Sequence, residues 1–376
     1  MQTEEKKVEY IELIYDLIFV YFIGRNNELL HHLDGGFLTA GTFFSYLIGI
    51  LVILQIWYFS TLFINRYGDN TIRSFIGLFI NMYLIYFMAT GTRADWSDYY
   101  LRYNIAWGLI LINLAVQYFL QLKKAQKERP WEIVFIKYHV LFLLIQAVIV
   151  FLSIPFYKII NFPLSWISLI AGFLMILLTK NVDSVLPVNF EHLTERVMLF
   201  VVFTFGEMII SIAVYFNEAF SFHTFYFSLM AFLIVAGLFL SYGYLYNHVV
   251  DRQMITTGAG YMLLHVVLLL ALCNVTAALV YMREDEVAAV PKNVMLVISF
   301  LVYFAFLLLL GSFSKEGEQL QKKTLLALIA SGVLFVVLMA VFYKNGYISI
   351  AVTVLFVFAN HILLMLNHKR NEALKI

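Results

Sequence analysis

Five ionisable residues stand inside, or at the mouth of, runs that are otherwise apolar. Glu12, Asp16 and Arg25 lie in the first run of the chain, and Arg196 and Glu207 in the run near residues 193–215. A charged side chain at the middle of a helix in hydrocarbon costs roughly 2.5–3.5 kcal/mol on insertion scales, so it is kept there for a reason. One reason is proton or cation handling. A carboxyl held in oil exchanges protons nearer neutrality than one in water, and a neighbouring guanidinium opposes that tendency. The other reason is packing: a buried pair, with Arg25 or Arg196 neutralising Glu207, specifies helix geometry while adding little net stability.

Spacing places these groups on helical faces. Glu12 and Asp16 are one turn apart, as are His192 and Arg196, and Glu207 returns to the His192–Arg196 face after about three turns. Gly206 beside Glu207 suits a close helix approach or a local kink. Arg25 faces away from the two acids of its own helix unless Gly24 and Asn26-Asn27 loosen the turn. Glu12, Asp16, Glu195 and Arg196 are expected near the cytoplasmic surface, salt-bridging the first and seventh runs or lining a vestibule. His192 and Glu195 have the Glu/His spacing of di-metal bundles, but there is no second copy and no cysteine partner, so neither a metal nor another cofactor is expected. His139, His265 and His361 fall within or at the ends of apolar runs, where a hydrogen-bonded packing histidine is the default.

The elements that carry these residues follow from composition. Hydrophobic residues make up 62% of the chain and charged ones 13%, with mean hydropathy +0.85. A soluble domain carries about twice that charge. Net charge is +1, which leaves no basic surface for nucleic acid. The single cysteine, Cys273, excludes an intrachain disulfide. The first run holds Glu12 and Asp16 and no small-residue cleavage site follows it, so it is expected as a span and not as a signal peptide.

Runs able to cross the ~30 Å hydrocarbon core number about twelve. They lie near residues 10–33, 42–64, 72–91, 101–122, 132–154, 162–180, 193–215, 222–247, 258–282, 293–312, 324–343 and 347–367. No strict alternation is present, which predicts an all-α polytopic membrane protein and not a barrel. With the N-terminus cytoplasmic, one side collects about 17 basic residues and the other about 6, placing both termini inside. The basic loop Lys123–Arg129 running into Pro130-Trp131 reads as an orienting, headgroup-facing segment.

A faint internal echo divides the chain into halves, 1–185 and 186–376. Phe19–Arg25 sits against Val201–Glu207, Thr42–Ser45 against Thr224–Ser228, and Asn65–Asp69 against Asn247–Asp251. This implies two six-helix halves in the same orientation.

The charged helices also resemble the bacterial low temperature requirement protein A (LtrA) family. Its opening motif, an acid, three residues, then Asp-Leu-x-Phe-Val, is similar to Glu12–Val20, and its His-x-x-Glu-Arg signature with Gly-Glu nine residues on matches His192, Glu195, Arg196, Gly206 and Glu207. Weaker similarities are Asn65-Arg66-Tyr67 through Arg73, and Gly260-Tyr261 to His265; Gly24-Arg25 and Gly68 depart from the pattern. The resemblance implies a multi-pass protein of the bacterial cytoplasmic membrane linked to growth in the cold, with no reaction attached.

No zinc-protease, nucleophile-elbow, Walker or dinucleotide motif occurs, and no enzyme is expected. Two functions stay open. One is a transporter or channel for protons, ions or a small solute, using Glu207, Asp16 and Glu12, with Arg25 or Arg196 as counter-charge, His192 and Glu195 in the same charge network, and His265, Arg66 and Arg73 as secondary candidates. The other is a non-transporting protein that acts through lipid or a partner protein in cold adaptation.

Overall fold

The computed structural model describes residues 6–90, 96–160, 163–178, 183–184, 186–213 and 221–375. Apart from a two-residue hairpin, the regular structure there is helical, and each of the twelve predicted runs coincides with a helix. In chain order these are α1 (Tyr10–Asn27), α2 (Ala40–Tyr67), α3 (Ile72–Thr90), α4 (Trp96–Glu128), α5 (Ile133–Ile160), α6 (Trp166–Leu178), α7 (Phe190–Ile212), α8 (Phe222–Tyr244), α9 (Ala259–Arg283), α10 (Ala289–Leu309), α11 (Lys322–Phe342) and α12 (Gly346–Lys375).

Among the described residues, nine of these are long and apolar enough to cross a membrane: α2 to α5 and α8 to α12. The expectation of about twelve such spans is met only to that extent. Helix α6 is described over 13 residues, and positions 162, 179 and 180 of its predicted run lie outside the described residues. Helices α1 and α7 are excluded by charge density, because Glu12, Asp16 and Arg25 fall in one and Glu191, Glu195, Arg196 and Glu207 in the other.

The first run also ends earlier than expected. Helix α1 stops at Asn27, a 3-10 turn covers Glu28–His31, and a hairpin pairs Leu33–Asp34 with Phe37–Leu38. Gly35 and Gly36, at φ 60° and 88°, supply the left-handed backbone that the two-residue turn needs. The stretch from Asn26 to Gly36 is polar apart from Leu29, Leu30 and Leu33, and those three leucines carried the predicted run past the end of the helix.

The chain divides into two compact units. One comprises Met1–His32, Ala40–Phe200 and Ile255–Met262; the other Leu33–Thr39, Val201–Met254 and Leu263–Ile376. In the first, α2 is the central helix, and 89% of its most apolar window is buried. Two of its polar residues bond to neighbouring helices. Gln55 Nε2 donates to the Leu169 carbonyl of α6 (2.9 Å), and Tyr15 of α1 donates to Ser60 Oγ (3.0 Å). Asn81 of α3 donates to the same tyrosine oxygen (3.2 Å), and Asn113 of α4 donates to Asn81 Oδ1 (2.8 Å). Such interhelical hydrogen bonds substitute for the hydrophobic drive that lipid-solvated helices lack. Gly49 lets α1 and α2 come together, since a Cβ there would overlap the carboxamide of Asn26.

In the second unit, Tyr303 of α10 donates to the Leu238 carbonyl of α8 (2.9 Å), and Asn360 of α12 donates to Ser331 of α11 (3.2 Å). Phe335 and Phe356 stack at 4.2 Å. The outward faces are oily: Leu326, Ile329, Val333 and Leu334 of α11 are all more than half exposed, a surface suited to lipid and not to water.

Gly258, just ahead of α9, has φ +74°, and a Cβ there would press on Leu193 and Val188. Gly258→Ala is therefore expected to destabilise the first unit by about 1–3 kcal/mol, seen as a lower midpoint in a detergent melt. An unchanged midpoint would show that the left-handed turn relaxes freely.

Candidate functional site

Two helices from distant parts of the sequence bring their charges together. Glu12 and Asp16 project from the same face of α1, which also buries Tyr15, Phe19 and Ile23. Helix α7 is started by Asn189, whose side-chain oxygen accepts from the backbone N–H of His192 (3.1 Å), an N-cap that sets the first turn. His192 and Arg196 then point together at α1.

Arg196 is fully buried and spends its guanidinium on both acids. Nε donates to Asp16 Oδ2 (3.0 Å), Nη2 to Asp16 Oδ1 (2.8 Å) and Nη1 to Glu12 Oε2 (3.1 Å). The Asp16 contact is a two-pronged fork, the geometry at which arginine surpasses lysine. Asp16 Oδ1 also accepts from the indole N–H of Trp57 (3.2 Å). Trp57 is stacked on Phe200 at 4.3 Å, so a wall of aromatic rings backs the carboxylate.

The remaining oxygen of Glu12 meets His192 Nε2 at 3.2 Å. Which nitrogen of His192 carries the proton follows from Asn65. The backbone N–H of Asn189 can only donate, so it identifies the carboxamide oxygen of Asn65 as its acceptor (2.9 Å). The Asn65 nitrogen then donates to the Asn189 carbonyl (2.9 Å) and to His192 Nδ1 (3.0 Å). Nδ1 is an acceptor, the proton sits on Nε2, and His192 is a neutral donor to Glu12. Two carboxylates thus face one guanidinium in a buried cluster.

Glu12 stands where this cluster meets open space. A cleft of about 520 Å³ is lined by Lys6, Glu9, Glu12, Asn65, Asp69 and Gln117, along with apolar residues such as Phe63 and Leu78, all in the first unit. Lys6 lies on its rim. Its ammonium donates to the Ile64, Asn65 and Gly68 carbonyls at 2.6, 3.1 and 3.3 Å, where α2 ends and the dipole of the helix favours a cation. Burial pulls Lys6 below the ordinary lysine range, against the opposing attraction of Glu12.

The family profile of the bacterial low temperature requirement A protein (LtrA) matches residues 7–363. The chain belongs to the LtrA family. No curated protein matches it. The two LtrA signatures that the sequence carries, far apart along the chain, are the two halves of one charge cluster, since Glu12 and Asp16 come from the first and His192 and Arg196 from the second.

Other expected residues fall elsewhere. Arg196 does not serve Glu207, because its nitrogens are committed to α1. Arg25 pairs with Glu28 one turn on, at an exposed position. Glu207 is half-buried and accepts from Ser211 Oγ (3.2 Å). A Cβ on Gly206 would meet only open space among the described residues, so that glycine makes no close helix contact. Glu195 is half-buried and Arg73 exposed. His265 is buried, with its Nε2 3.1 Å from the Tyr242 hydroxyl. Arg66 donates to the Leu186 carbonyl (3.0 Å) and lies over Phe135. The expectation that Asp16 and Arg196 lie close to water is overturned, since both are 0% exposed. The aromatic wall of Trp57 and Phe200 seals them.

Trp57, Asn65, Asn189 and Lys6 escaped the sequence reading. Trp57 looks like any apolar residue of α2, and Lys6 like any loop charge. Asn65 carried a signal, because it opens the Asn65-Arg66-Tyr67 similarity, where the arginine drew attention instead.

Proposed function

We propose that this LtrA protein carries protons, cations or a small solute across the bacterial cytoplasmic membrane, with the Glu12–Asp16–His192–Arg196 cluster as its coupling site. The observation that supports this reading is the charge imbalance at the floor of the cleft. Two buried carboxylates share one guanidinium and a neutral imidazole, and Glu12 is the member within reach of the cleft. A cluster with a surplus negative charge in low dielectric takes up a proton or cation from the adjoining aqueous space. Lys6 on the rim is the resident counter-charge with which an incoming cation competes. With both termini cytoplasmic, the cleft is the cytoplasmic mouth, because its walls come from the N-terminal segment and the α2–α3 and α6–α7 connections.

The test is flux of protons and common cations into proteoliposomes. Glu12→Gln, which keeps the size and the hydrogen-bond reach, should bring flux to background at equal folded yield. Glu207→Gln in parallel asks whether the half-buried acid of α7 is a further station on the route. Equal flux for wild type and Glu12→Gln would remove the cluster from the mechanism.

One observation favours a second reading. Asp16 and Arg196 are sealed and mutually satisfied, as in a packing pair that only fixes how α1 meets α7. Under that reading the protein supports growth in the cold through lipid or a partner protein, and no ion flux is found in wild type.

A further inference from the structure

In the second unit, the seam between α10 and α11 is open along its outer side. Val290, Val294 and Ile298 of α10 and Val336 of α11 are 57%, 49%, 55% and 40% exposed, with Met339 buried at 1%. These side chains line a hollow of about 360 Å³. The eight residues from Val290 to Ile298 rise about 12 Å, close to the depth of one leaflet of the ~30 Å hydrocarbon core. A further hollow of about 410 Å³ continues along the seam from Leu301 to Leu308 and shares Val336 with the first. The first hollow therefore belongs to the leaflet on the side of the α9–α10 and α11–α12 connections. Spread over its length it is about 6 Å across, half the width of a helix. It takes a hydrocarbon chain and excludes a helix.

The outer end of the hollow is polar. Asn293 lines it there and is 4% exposed. Its Nδ2 donates to the Ala289 and Tyr343 carbonyls, both at 2.9 Å. Carbonyls only accept, so the carboxamide has one orientation and its other atom is the oxygen. That oxygen, Oδ1, is buried and has no hydrogen-bond partner among the described residues. A hydrocarbon chain alone leaves it unsatisfied, whereas a hydroxyl at the head of the chain donates to it. A neutral hydroxyl also loses less on leaving water than an ammonium does. Lys344, next to Tyr343, is exposed, with its ammonium 5.6 Å from the Tyr343 ring. A cation thus stands beside the mouth of the hollow.

We propose that this hollow binds one phospholipid with a hydroxyl-bearing headgroup. Its acyl chain lies against Met339 and Val336, its hydroxyl donates to Asn293 Oδ1, and its phosphate faces Lys344. The proposal does not depend on the transport reading, because no residue of the charge cluster takes part.

Protein stripped of lipid and held in detergent is titrated with dioleoylphosphatidylglycerol while its melting midpoint is followed. The midpoint should rise and saturate at one lipid per chain. Dioleoylphosphatidylcholine, with the same chains and no donor in its headgroup, should bind about ten-fold more weakly. Ala340→Phe, from an exposed position that lines the hollow, puts a ring into it and should abolish the rise. Lys344→Gln should weaken phosphatidylglycerol about two- to five-fold, as losing an exposed ion pair does. A wild type that answers both lipids alike, or an Ala340→Phe protein that responds as wild type does, overturns the proposal. So does a wild-type dimer that Ala340→Phe splits into monomers, since a second copy would then cover the seam. Should Ala340→Phe not fold, native mass spectrometry of the wild type decides. One phosphatidylglycerol retained per chain supports the site, and none retained, or no preference over phosphatidylcholine, overturns it.

Discussion

Arg196→Met on its own is expected to leave little folded protein. The substitution keeps the length of the side chain and removes every donor that faces Glu12 and Asp16. Two acids would then be stranded in a space where Asp16 has no access to water. Breaking a buried ion pair from one side costs about 3–5 kcal/mol, because the remaining charge is left uncompensated. That is a large part of the total stability of most folded chains. The measurement is the monodisperse yield and thermal midpoint in detergent. The informative partner is the triple change of Glu12 and Asp16 to Leu with Arg196→Met, which swaps all three charges for apolar side chains of similar bulk. Such replacements are often neutral or stabilising, so the triple variant should fold at least as well as wild type and far better than the single one. If it folds and flux is lost, the charges are there for function. If Arg196→Met alone melts like wild type, the cluster is not the buried unit described above.

Trp57→Ala should be nearly as damaging, by about 3–5 kcal/mol, the usual range for emptying the site of a large buried aromatic. The indole is 0% exposed, stacks on Phe200 and donates to Asp16. It therefore holds α1, α2 and the first half of α7 at one point. Trp57→Phe separates the two roles. It retains most of the packing and loses the N–H, so it should cost about 1–3 kcal/mol for the unfilled acceptor and the smaller ring. A Phe variant as unstable as the Ala variant would mean that the hydrogen bond, not the packing, dominates there. An Ala variant with wild-type stability would show that the aromatic wall does not seal Asp16.

These two expectations rest on features of unequal visibility. The acids of α1 and the arginine of α7 are conspicuous in the sequence because oil surrounds them. Salt bridges between the first and seventh runs are expected from it as well, and Arg196 on Glu12 and Asp16 meets that expectation, but which acid takes which base is not legible across 184 positions. Spacing along α7 suggested that Arg196 would look to Glu207 on the same face. In the fold, the nearer solution is lateral: α1 offers two carboxylates at the level of Arg196, and a guanidinium fork satisfies both at once. The surroundings of His139 are less visible still. His139, a lone histidine in an apolar run, is in its bond to the Phe135 carbonyl the packing histidine that its sequence setting implies. Its other nitrogen finds Asp183 only because α5 and the α6–α7 connection meet beside the end of α2.

The amino-acid order by itself determined where the helices lie, because long apolar runs in a low-charge chain have no other way to satisfy their backbone in lipid. It also determined which residues are exceptional, since a charge amid leucines and phenylalanines is costly wherever the chain goes. It pointed to the LtrA family through two short motifs. Only the tertiary structure decided which charges pair, that Asp16 and Arg196 are dry while Glu12 borders a cleft, and which nitrogen of His192 bears its proton. Hydropathy is a property of each residue taken alone, whereas pairing, sealing and tautomer depend on distances of about 3 Å between helices that no local pattern encodes.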